Sequence, residues 1–222
     1  MLGPMSSTRD LSALQDLPGT RRLLQSLAVL DAVMSPQWES RYYMFDGAWG
    51  DGERSASMRD GCGDQWNAIL CPQGMALVGL AHEAPGYVCG QPHPGIFAEL
   101  PEVFHENLLH EPAFETSDAT FCIWRLLEDD RWHAGRDLAG EDGSEDLLTI
   151  LDGKPQDYVA YAAEYFELEL ALADVEAVYA HRVLTSDLVA RLNPEADFAE
   201  AEAEVEAIGY PRAQAGRSTS SV

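Results

Sequence analysis

Along residues 54–59 apolar and polar side chains alternate, with Ala56 and Met58 on one side and Ser55, Ser57 and Arg59 on the other. A period of two is the pattern of a strand with one packed face and one wet face. Two further runs, 66–71 and 75–82, are apolar on both faces, which predicts central strands covered on both sides. The turns between them are written in the residue types. Asp60-Gly61-Cys62-Gly63-Asp64 supplies two glycines free to take positive φ and two aspartates able to accept from nearby backbone N–H groups, while Pro72-Gln73-Gly74 presets a tight reversal.

Before these strands, Leu11, Leu14, Leu17, Leu23, Leu24, Leu27, Leu30 and Val33 recur at spacings of three and four. That period predicts a short helix and a longer one, interrupted at Pro18-Gly19. Residues 41–49 are rich in aromatics and predict a first strand, and 83–95 read as a loop. Pro101 predicts a helix to His110 with Val103, Phe104 and Leu108 inward, and 119–127 predict a further strand turning at Asp129-Asp130. From 141 onward helix formers dominate, with Pro155 and Thr185 as starts, Asn193-Pro194 as the cap of the last helix, and a stripe of Phe198, Ala201, Val205 and Ile208. The expected fold is α+β: an antiparallel sheet of about five strands flanked by N-terminal helices, with a C-terminal helical part. The parts are 1–140 for the helix-capped sheet, 141–211 for the helices and 212–222 for a disordered tail, with a hinge over 135–143.

Charge changes this picture most. The 222 residues carry 14 basic and 38 acidic side chains, a formal charge of −24. Long-range attraction to nucleic acid or to an anionic membrane is therefore excluded as a binding principle, and a basic protein is the expected partner. Between Arg59 and Arg125 there is no basic Lys or Arg, while Asp64, Glu83, Glu99, Glu102, Glu106, Glu111, Glu115 and Asp118 fall in the interval. The surface carboxylates Asp60, Asp64, Glu83, Asp129 and Asp130, with Trp132 as an aromatic anchor, are the candidate partner-binding residues. The four cysteines have no metal or redox spacing, and no signal-peptide or membrane-spanning run is present, so a reducing cytoplasm is expected.

Complete catalytic signatures are absent. There is no G-x-S-x-G, Gly61-Cys62-Gly63 lacks the third glycine of a dinucleotide loop, and Gly153-Lys154-Pro155 lacks the rest of a phosphate loop. No cofactor is expected. Asp60 and Asp64 suit turn chemistry as well as they suit a cation loop, and Glu102, His105, Glu106 and His110 suit a solvated helix face. The alternative to a binding protein is a small hydrolase or metal-dependent enzyme, with His82, Glu83 and His93 gathered at a strand end.

The segments ASMRDGCGDQWNAILCPQGMALVGLAHEAP, PEVFHENLLHEPAF and CIWRLLEDDRWHAG, with a helical end closing on IGYP, resemble an uncharacterised family of acidic bacterial cytoplasmic proteins. The resemblance spans about Tyr42 to Pro211 and implies an α+β fold and no activity. In character alone the chain is similar to immunity proteins, which neutralise a toxin by covering it.

Overall fold

The computed structural model describes residues 6–92, 95–135 and 142–212. One helix, α1 (Leu17–Met34), precedes the sheet. The expected break at Pro18-Gly19 is in fact its beginning. Asp16 Oδ1 accepts from Gly19 N at 2.8 Å, and a proline in the first turn loses no hydrogen bond because its N–H would be unpaired there anyway. The sheet follows as β1 (Tyr43–Gly50), β2 (Glu53–Arg59), β3 (Gln65–Cys71), β4 (Gly74–Leu80), β5 (Phe121–Leu126) and the two-residue β6 (His133–Ala134). All neighbours are antiparallel and the strands lie in chain order.

Register turns the alternation of each strand into two faces. Tyr43, Phe45, Ala56, Met58, Trp66, Ala68, Leu70, Met75, Leu77, Phe121 and Ile123 face α1 and form one core with Leu23, Leu24, Leu27, Leu30 and Val33. The helices α2 (Ser144–Leu148), α3 (Pro155–Tyr165), α4 (Leu172–Tyr179), α5 (Ser186–Leu192) and α6 (Phe198–Ile208) add Leu148, Tyr158, Val175, Val189 and Val205 to that same core. On the other face Ile69, Ala76, Val78, Cys122 and Trp124 pack under Ile96, Leu100, Phe104, Leu108 and Phe114, all from the excursion between β4 and β5. Strands β3 to β5 are apolar on both sides because both sides are covered.

Two local expectations change. Residues 101–110 form a tight turn at Glu102–Phe104 and one wide π turn at His105–Leu109 instead of an α-helix. Phe104 and Leu108 still point inward, whereas Val103 is exposed. With two apolar anchors and Pro112 close ahead, the segment is too short to sustain a helix of its own. Asn193 does not cap α6: Asp197 does, its Oδ1 accepting from Ala199 N at 2.7 Å. Asn193 Nδ2 instead donates to the carbonyl oxygens of Val33 and Met34, which the end of α1 leaves without helical partners. The expected hinge over 135–143 falls largely on residues outside the described ones, as does the tail from 213.

Candidate functional site: a cleft over the first hairpin

The residues singled out by sequence divide between the two ends of the sheet. At one end, Asp60 Oδ1 accepts from the backbone N–H groups of Cys62, Gly63 and Asp64 at 2.7 to 3.0 Å, with Gly61 and Gly63 both at positive φ. Asp60 is therefore a turn residue. Asp64 Oδ1 accepts from the backbone of His82 at 2.8 Å and lies 2.7 Å from its Nδ1. This bond raises the His82 pKa above its ordinary value of 6.5. Glu83 stands 3.9 Å from the other ring nitrogen with its carboxylate in solvent. His93 lies outside the described residues, and among the described ones no group of three His, Cys, Asp or Glu could hold a metal.

At the opposite end, Asp129 Oδ2 accepts from Leu126 N at 2.8 Å and lies 3.5 Å from His133, while Asp130 is exposed. Trp132 is not a surface anchor: it is buried in the core, where its indole N–H donates to the Gln15 carbonyl at 2.7 Å. Strands β3 to β5 run the length between these turns, so the six expected partner-binding residues do not form one surface.

A different place gathers exposed aromatic side chains. The excursion that covers β3 to β5 reaches the first hairpin near its tip, at Trp49 and Glu53. It leaves Met44, Asp46, Ser55, Ser57 and Arg59 as the floor of a cleft of about 510 Å³ that is also lined by Ala28, Phe45 and Ile208 of the helix-side core. Register lays Met44, Ser57 and Asn67 in one row across the floor. Serines are small, so the floor is a hollow between larger neighbours. Phe114, at the end of the excursion, stacks on Trp49 with centroids 5.6 Å apart to close one side. Trp38 and Arg41, from the loop joining α1 to β1, form the other. A second hollow of about 280 Å³ shares Trp38, Met44 and Arg59 and continues the groove to Tyr42, Asp60 and Tyr165.

Polar groups in this groove are unequally engaged. Arg41 is held by the carbonyl oxygens of Ser35 and Pro36 and pairs with Glu204 at 3.0 Å, which fixes the loop carrying Trp38. Asp46 accepts from Ala48 N and Asp60 caps its turn. By contrast, the Arg59 guanidinium, the Ser55 and Ser57 hydroxyls and the Asn67 amide make no hydrogen bond or ion pair with the described residues, although Asn67 is only 4 % exposed. A buried amide usually has partners, and here it faces the cleft.

One group that sequence reading missed positions this end of the molecule. Asp31 is fully buried on α1, and its carboxylate accepts from Tyr42 N at 2.8 Å, Tyr43 N at 2.9 Å and Tyr158 Oη at 2.7 Å. It ties the helix end to the start of β1 and to α3. Burial pushes its pKa up to about 6, against the pull of those hydrogen bonds. The available signal was an aspartate among buried-face positions, four residues after Leu27 and before Met34. Tyr42 itself is pushed up to about 12, first by burial and then by Tyr165 and Asp60, so it lines the groove as a neutral phenol.

The chain matches no known protein family, no curated protein and no solved structure in these comparisons, so function is argued from this geometry.

Proposed function

We propose that this protein is a non-enzymatic binding module for a basic protein partner, and that a segment of the partner lies in the groove over β1 and β2. The observation that carries this reading is the placing of exposed aromatics: Trp38 is 60 % exposed, Tyr165 40 % and Trp49 37 %, and all three border the one groove. Aromatic residues grouped around a concave, partly polar surface are the usual energetic centre of a protein interface. The groove is open and elongated, following strands of seven or eight residues, which suits an extended polypeptide. The charge of −24 adds long-range attraction for a basic partner and speeds encounter without fixing the final contacts. A basic toxin held by an immunity protein is one partner of this kind.

The test is capture from the source organism's lysate with the wild-type chain and with the Trp38→Ala/Trp49→Ala double variant. A basic protein retained by the wild type, with an association rate falling as salt rises, and lost from the double variant is the expected outcome. Equal retention by both chains would remove the reading.

A second reading, a small hydrolase or metal-dependent enzyme around His82 and Glu83, is favoured by one observation, the 2.7 Å pairing of His82 with Asp64. A carboxylate that orients an imidazole is a common element of proton transfer. Loss of a screened activity in His82→Ala would support it.

A further inference from the structure

The groove's polar groups say more about its occupant, given that the protein-binding reading above holds. Most of its carboxylates are engaged, Glu204 by Arg41 and Asp46 and Asp60 by backbone N–H groups, while Glu39 in the second hollow makes no hydrogen bond or ion pair with the described residues. The cation Arg59 has no such counterpart among the described residues. Beside it, the nine-tenths buried Asn67 turns an unpartnered amide into the same hollow. Ser57 stands directly between the strands of Met44 and Asn67. A cationic group and an amide that stay unpaired in a cleft with apolar walls are complementary to a carboxylate attached to an apolar side chain.

We propose that the partner's segment carries an acidic residue next to a large apolar one. Its carboxylate pairs with Arg59, its apolar side chain lies between Trp38 and the Trp49–Phe114 stack, and the Asn67 amide hydrogen-bonds its backbone. The partner's overall positive charge and this local acidic anchor do not conflict. Steering acts over about a Debye length of 10 Å, whereas pairing with Arg59 acts at contact.

Two capped dipeptides, acetyl-Phe-Glu-amide and acetyl-Phe-Gln-amide, differ in that one charge. In two-dimensional ¹H–¹⁵N spectra of the full chain, the Glu peptide is expected to shift the Asn67 side-chain amide and the Trp38 indole N–H. The Gln peptide should bind about 5-fold more weakly, the size expected of one partly exposed ion pair. In Arg59→Gln the two peptides should become equal while signals from the core stay in place. The proposal is overturned if neither peptide moves Asn67 at concentrations up to about 10 mM, or if the Glu–Gln difference survives in Arg59→Gln. Failure here combined with partner loss in Trp38→Ala/Trp49→Ala removes the acidic anchor and keeps the binding module. Peptide binding combined with unchanged capture keeps the carboxylate site and removes the protein-partner reading.

Discussion

At the scale of single residues, Asp31 is the most consequential side chain outside the apolar core. Replacing it by Ala leaves the N–H groups of Tyr42 and Tyr43 and the hydroxyl of Tyr158 buried without their acceptor. A loss of about 3–5 kcal/mol is expected from urea unfolding, and less for Asp31→Asn, which keeps one acceptor oxygen. The pH dependence has a definite sign. The folded chain holds this proton more tightly than the unfolded chain, about 6 against 3.8, so Asp31 favours folding most below 3.8 and loses that contribution as pH rises through 6. Between pH 7 and 4 wild type should gain about 2 kcal/mol relative to Asp31→Asn, whose amide does not titrate. His82 has the same sign for a different reason. Its pKa is raised by the hydrogen bond to Asp64, so its contribution is full below 6.5 and is lost above, as pH passes the folded value. An NMR titration of His82 should show a midpoint above 6.5 that falls back in Asp64→Asn.

At the scale of elements, close packing decides where substitution is tolerated. In β4, Gly79 pairs with Trp66 on one side and Phe121 on the other, and a Cβ added there would lie 2.1 Å from the Phe121 ring. Strand β4 is central and cannot shift without disturbing both hydrogen-bonded neighbours. Gly79→Ala is therefore expected to cost about 1–3 kcal/mol, despite alanine being the better strand residue, and a lowered thermal midpoint would register it. The same register explains how much of the sheet was legible. Alternation in residues 54–59 and the two-sided apolar runs after them lead directly to β2, β3 and β4, because each pattern is imposed by the strand's own period and by its immediate turns. Residues 101–110 were misread as a helix because spacing alone does not separate an α turn from a tight turn followed by a wide one, when Phe104 and Leu108 face inward in either case.

At the scale of the whole molecule, three layers result: the helices, the sheet, and the chain between β4 and β5 laid over the sheet's second face. That third layer covers β3 to β5 and meets the first hairpin near its tip, at Trp49 and Glu53, leaving the rest of the hairpin's outer face open as the groove. No helix among the described residues is long and apolar enough to cross a membrane. A net charge of −24 acts on the molecule as a whole; in the binding role proposed above it governs which partners approach, and the aromatics of the groove govern which of them stay.

What the sequence by itself determined are the features that depend on neighbours along the chain. These are the period of each strand, the Asp60–Asp64 turn with its two positive-φ glycines, and the start of α3 at Pro155. Thr185 caps its helix as the sequence suggests, whereas Asn193 yields the cap of the last helix to Asp197 because its amide is taken by the carbonyl oxygens at the end of α1. Tertiary structure alone decided burial. Trp132 reads as an exposed aromatic beside two aspartates until Gln15, far away in the chain, supplies its acceptor. Ser55 and Ser57 read as an ordinary wet face, and only the path of residues 95–120 makes them the floor of a cleft. The physical reason is the same in each case. Backbone conformation answers to local sterics and hydrogen bonding, whereas exposure is set by distant segments competing to cover the same apolar surface.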